Sequence, residues 1–175
     1  MTQSIEIARY KDTVYARVSG LGNFNTAGPF RGYVEAQIES GARALVLDLG
    51  PCSGLDSTFM GTLAGFMTVQ LPGEDAPRGL DNPAIAITVV NQNPTCARAM
   101  QSLGLQAILT IRDKPVKVPP VKLEKLEAGW LNETRRIKLI RDAHEKLVAF
   151  DKGNAAKFGP FLEALRRESE NKRGE

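Results

Sequence analysis

The chain has 175 residues, 42% of them hydrophobic, and a formal net charge of +3. That length fits one domain plus an appendage rather than two enzyme domains, and so small a net charge makes no whole-chain case for nucleic-acid binding or membrane-surface attachment. A single histidine, with Cys52 and Cys96 far apart in the chain, excludes a recognisable zinc site and a disulfide scaffold; no metal and no cofactor is expected, and a reducing compartment is the simplest reading.

The charge is unevenly divided. Residues 1–113 hold 8 Lys and Arg against 10 Asp and Glu (net −2), whereas 114–175 hold 15 against 10 (net +5). The opening MTQSIE lacks a basic stretch followed by an apolar one, and the most apolar run, Ala84–Val90, is far short of the ~20 residues of a spanning helix. A cytoplasmic protein without membrane insertion is expected.

In chain order, Ser4–Tyr10 and Thr13–Val18 are β-rich runs separated by Lys11-Asp12 and predict a hairpin. Asn25-Thr26 is positioned to cap a helix with Phe30, Val34 and Ile38 on one face, stopped at Gly41. Leu45–Leu49 has the composition of a strand covered on both faces. Asp56-Ser57-Thr58 opens a second helix with Leu63, Phe66 and Met67 as its apolar residues, and Pro72–Pro83 is punctuated like an exposed loop. Ala84–Val90 predicts another buried strand. Asn93-Pro94 predicts a capped helix ended by Gly104, and Ala107–Ile111 a last strand.

Strands alternating with helices imply an α/β layer structure over 1–113, with a mixed β-sheet and helices packed on it. Residues 114–120 (KPVKVPP) read as a proline-rich linker, and 121–175 as a C-terminal α-helical hairpin. Its first helix, from about Asn132 to Phe150, carries a stripe of Ile137, Ile140, His144, Leu147 and Val148. Its second, after an Asn154 cap, carries Phe158, Phe161, Leu162 and Leu165. Two such stripes must be buried against something.

Several chemical constellations fall short. Gly20 and Gly22 suggest a dinucleotide loop, but the third glycine and the ribose-binding acid are missing, so a loop capping the first helix is the better reading. Nucleophilic catalysis requires a base, and the lone His144 in an apolar stripe reads as structural; no catalytic residue is assigned. Cys52 and Cys96 each follow a predicted strand at one end of the sheet and read as structural thiols. The basic residues of the tail, Arg135-Arg136 among them, share their helix with acids and lack interleaved aromatics, so they read as a solvated face rather than a nucleic-acid site.

The Asp56-Ser57-Thr58 segment is different. One helix cap needs one side chain, and here two further hydroxyls stand at the positive end of a helix dipole after a central-type strand, where open α/β sheets place their sites. A hydroxyl exposed there can accept a phosphate.

Together, Val14–Gly20, the strand ALVLDL at 44–49, Leu55-Asp56-Ser57-Thr58 with Gly61 and Leu63, AIAITVV, and AMQSLGLQAIL at 99–109 resemble the sulfate transporter and anti-sigma factor antagonist (STAS) domain. The resemblance covers roughly residues 4–112. It implies that Ser57, or as second choice Thr58, is a phosphorylation site, and that Asp56, Ser57, Thr58, Phe59, Met60, Gly22 and Asn23 form a partner-binding surface. The implied partners are an anti-sigma factor or related serine kinase of the GHKL type and a PP2C-type phosphatase. The implied function is a non-catalytic regulatory protein-binding module switched at Ser57. A subunit of a lipid or anion transport system docking on a transporter ATPase is the alternative, and a homodimer through the C-terminal helices stays open. Phe59 stands where the family has glycine, which is expected to bring an aromatic group to the recognition surface.

Overall fold

The computed structural model describes residues 2–117 and 121–174. Strands β1 (Ser4–Tyr10) and β2 (Thr13–Gly22) form the expected antiparallel hairpin. Its two-residue turn places Lys11 at φ +56, a left-handed conformation that two-residue hairpin loops use to match the strand twist. Helix α1 (Phe24–Glu39), β3 (Ala44–Asp48), β4 (Cys52–Leu55), α2 (Ser57–Met67), β5 (Ala86–Val90) and α3 (Pro94–Ser102) follow. A 3-10 turn at Leu105–Ala107 precedes β6 (Thr110–Ile111). Then come β7 (Glu124–Lys125), α4 (Glu133–Phe150) and α5 (Lys152–Arg173).

The sheet is mixed, in the order β6-β5-β3-β2-β1-β7, with β4 paired to β2 off that path. Its register explains the core. Ile5 lies opposite Val18 and Ile7 opposite Ala16; Val14 and Ala16 neighbour Leu45 and Leu47, which neighbour Ile87 and Val89. All nine side chains are buried on one face, under Phe30, Val34 and Ile38 of α1 and Phe59, Leu63 and Phe66 of α2. The opposite face carries Tyr15, Arg17, Val46 and Thr88, none of them buried. Strand β3 is therefore covered on one face rather than two: with the helices gathered on one side, as an antiparallel edge permits, burial alternates along the strand.

Other boundaries moved for local reasons. The cap of α1 is Asn23 rather than Asn25-Thr26: its side chain accepts the Asn25 N–H at 3.1 Å, while Thr26 Oγ1 accepts the Asn23 N–H at 3.0 Å. Strand β4 escaped the sequence reading because Cys-Ser-Gly-Leu shows no alternation; it exists through its parallel pairing with Gly20–Gly22. The final strand is shortened by the 3-10 turn. Asn93 and Pro94 cap and open α3 as expected.

The residues after the linker are built into the domain. Linker residues 118–120 lie outside the described residues, but Val116 is held by Asn91 through two reciprocal hydrogen bonds of 2.8 and 2.9 Å. Strand β7 then adds an antiparallel edge to β1, Leu131 packs over Gly28 of α1, and α4 lies along α2 with α5 against α4. Stripe residues also differ from the expected set. Leu139, Ala143, His144 and Leu147 are the buried residues of α4, whereas Ile137, Ile140 and Val148 lie half-buried on its flanks. Asp151, not Asn154, caps α5 by accepting the Gly153 N–H at 2.8 Å. Asn154 is instead buried, donating to the carbonyls of Leu103 at 3.0 Å and Leu147 at 2.9 Å. One amide thus ties the elbow of the hairpin to both α4 and the loop after α3.

Candidate functional site

The site lies where two helices begin. Asp56 caps α2: Oδ1 accepts the Phe59 N–H at 2.8 Å, and Oδ2 accepts the N–H of Phe24, first residue of α1, at 3.0 Å. One carboxylate therefore sits against the positive ends of two helix dipoles, a favourable place for a negative charge. The Asp56 N–H donates to the Gly22 carbonyl at 2.9 Å, so the parallel β2–β4 pairing sets the position of the cap.

Ser57, the first residue of α2, points toward the hairpin. Its Oγ is 2.8 Å from His144 Nε2, across 87 positions of sequence. His144 Nδ1 lies 2.6 Å from the Ile140 carbonyl oxygen. A carbonyl only accepts, so Nδ1 carries a proton; in the neutral ring Nε2 is then the acceptor, and the Ser57 hydroxyl donates to it. The imidazole is 4% exposed and flanked edge-on by Phe158 and Phe161, with ring centroids 4.8 and 5.0 Å away. The histidine is buried, as its stripe suggested, but it also meets the candidate hydroxyl, which the sequence reading did not bring together.

Helix α4 reaches Ser57 because α2 presents small residues along one face. Ser57, Gly61 and Gly65 recur at intervals of four, placing them on one side of the helix. A Cβ on Gly61 would lie 2.1 Å from the Ala143 carbonyl oxygen, and one on Gly65 would meet the Lys146 side chain at 3.8 Å. This four-residue spacing of small side chains was the signal in the sequence for a closely packed helix. A salt bridge fastens α4 to α1, with Arg31 Nη1 3.0 Å from Asp142 Oδ2; Lys138 Nζ is 2.6 Å from the same oxygen.

Burial works against the charged form of Asp142, but the hydrogen bonds and charges of Lys138 and Arg31 outweigh it and hold the carboxyl below its ordinary value. A depressed folded-state value means the contribution to docking is fully present above the ordinary carboxylate range and is lost as pH falls through the folded value. Docking of α4 should therefore loosen on acidification below about pH 4, read as a fall in amide protection of α4 relative to the intrinsic exchange rate at each pH, and Asp142→Asn should lower that protection already at neutral pH and remove its acid dependence.

The remaining predicted surface residues divide sharply. Asn23 and Asp56 are half-buried at the rim, and so is Ser57. Thr58 and Met60 are each 4% exposed and Phe59 is fully buried. Phe59 is thus a core residue and brings no aromatic group to the surface: its ring stacks on Phe30 at 5.3 Å with an interplanar angle of 5°. Gly22 is buried because a Cβ there would meet Leu55 at 2.8 Å and Phe59 at 3.2 Å, a packing reason for the glycine rather than a phosphate cradle. Cys52 and Cys96 are both free and buried, with Cys96 Sγ 3.9 Å from the Cys52 carbonyl oxygen.

Among the described residues no helix is long and apolar enough to cross a membrane. No family model matches the chain, and no curated protein matches it. Among solved structures the chain is similar to the anti-sigma factor antagonist SpoIIAA in its unphosphorylated form, at 20% identity over 63% of this chain and 88% of that one, with a TM-score of 0.48. It is also similar to a putative anti-sigma factor antagonist from Thermotoga maritima, at 18% identity over 62% of this chain and 85% of that one, TM-score 0.48. It is likewise similar to an anti-sigma factor antagonist from Mycobacterium paratuberculosis, at 18% identity over 65% of this chain and 87% of that one, TM-score 0.47.

Proposed function

We propose that this chain is a non-catalytic regulatory module of the anti-sigma factor antagonist type, which binds a protein partner and is switched by phosphorylation of Ser57. The observation that carries this reading is the placement of the Ser57 hydroxyl at the first position of α2, beside an Asp56 carboxylate already seated on two helix N-termini. A phosphoryl group adds roughly −1.5 to −2 charges at pH 7. Next to Asp56 that charge repels an acidic or desolvated partner surface, while the start of α2 stabilises it within the domain. Release of the partner then needs no refolding of the sheet.

In this reading residues 1–113 are the binding unit, 114–120 its linker and 121–175 a helical extension, with the half-buried Asn23, Asp56 and Ser57 contributing to the partner-binding surface. Thr58 is a poorer acceptor because it is buried. The partners are a serine kinase of the GHKL type acting as anti-sigma factor and a PP2C-type phosphatase, in the cytoplasm.

Incubating the full chain with such a kinase and mapping phosphate by mass spectrometry should give one phosphate, on Ser57. Ser57→Asp should weaken kinase binding about tenfold or more, equivalent to about 1.4 kcal/mol, whereas Ser57→Ala should bind and stay unmodified. Phosphate confined to the tail, or equal affinities for the two variants, would overturn the assignment.

A further inference from the structure

We propose that the α4–α5 hairpin is an internal occupant of the Ser57 face, so that a docked hairpin and a phosphorylated Ser57 exclude each other. The trigger rests on the phospho-switch reading above; the mutual exclusion rests on geometry. Between Ser57 Oγ and His144 Nε2 there is one hydrogen-bond length, 2.8 Å, and a phosphoryl group with three further oxygens has no place in it.

The chemistry of the contact points the same way. Transfer of the terminal phosphoryl group of a nucleoside triphosphate forms the Oγ–P bond, breaks the bond from that phosphorus to the bridging oxygen, and frees the hydroxyl proton and a nucleoside diphosphate. The proton lost is the one Ser57 donates to His144. In the neutral ring, whose one N–H at Nδ1 serves the Ile140 carbonyl, Nε2 would then face phosphate oxygens that are also acceptors. The hydrogen bond at the centre of the contact is lost with the serine proton.

Little slack exists to absorb this. The backbone of Ala143 lies against Gly61, one turn along from Ser57, so α4 cannot slide deeper. The rings of Phe158 and Phe161 enclose the imidazole from α5, so it cannot swing aside without disturbing the second helix. The outward direction is the one left open, and it uncovers the groove along Ser57, Gly61 and Gly65. A protein that docks on this face therefore competes with α4 for it, and unmodified Ser57 is masked by its own chain until that competition is won.

The test is amide hydrogen exchange, read by mass spectrometry, on the full chain with phosphoserine installed at position 57 during translation, beside the unmodified chain. Exchange across residues 139–147 should be about tenfold faster or more in the phosphorylated chain, with β3 unchanged. His144→Ala should speed exchange in the unmodified chain and remove most of the further effect of phosphoserine. Equal or slower exchange across α4 in the phosphoserine chain would overturn the proposal, since it would mean that the docked hairpin accommodates the phosphate. A kinase that never modifies Ser57 would sink the switch reading and leave the exchange result standing, so the two failures are separable.

Discussion

Gly61→Leu will lift α4 off α2 and destabilise the folded chain by about 2–3 kcal/mol, the upper part of the range for forcing atoms into a well-packed interior. The reason is specific to this position. A Cβ on residue 61 would fall 2.1 Å from the Ala143 carbonyl oxygen, 2.5 Å from its carbon and 2.8 Å from its Cα. These are backbone atoms, so no rotamer change relieves the clash, and the helix axes must separate. Separation breaks the Ser57–His144 hydrogen bond and exposes Leu139 and Leu147, both buried in the native chain. The matched control is Gly32→Ala in α1, where a Cβ meets nothing within 4 Å; there, removing a helical glycine should stabilise by about 0.5–1 kcal/mol. Urea denaturation of the two variants checks both signs. A Gly61→Leu chain as stable as the wild type would show that the two helices are not in close contact.

Phe59→Ala will cost more, about 3–5 kcal/mol, which for a chain of this size lowers the melting temperature by roughly 6–20 °C. Phe59 is fully buried, stacked on Phe30, and Phe30 in turn meets Phe66 edge-on at 5.3 Å. Removing the central ring leaves a cavity where α1 and α2 meet the sheet and deprives Gly22 of its packing partner. Phe59→Gly should be worse by about 1 kcal/mol because it also weakens a helix. Calorimetry decides the matter: if Phe59→Gly melted with the wild type, the aromatic group would be a surface substitution after all.

Much of the sheet was legible because its signals are local. Alternation in Ser4–Tyr10 and Thr13–Val18, the apolar run around Leu47, and the Asn93-Pro94 helix start are each contained within a few residues, and each element formed at or near its expected place. Asp56 was likewise readable as a cap, since its side chain serves the backbone three residues on. What stayed hidden depends on distant pairing. Strand β4 is defined by its pairing with β2, whose Gly20 lies 32 residues before its partner Cys52, and by no pattern of its own. The buried stripe of α4 is set by Ala143 meeting Gly61, which keeps His144 and Leu147 but replaces Ile137, Ile140 and Val148 with Leu139 and Ala143. A histidine in an apolar stripe gives no hint that its partner is a serine 87 residues earlier.

The proposed switch has Ser57 as its regulated residue and the chain's own hairpin as its cover. Its most direct test is the initial rate of phosphate incorporation at Ser57, quantified by mass spectrometry, when a serine kinase of the GHKL type acts on the wild-type chain and on Gly61→Leu. Both should be modified at Ser57, the variant with the hairpin displaced several-fold faster. Phosphate found elsewhere in both chains, or equal rates at Ser57, would contradict it.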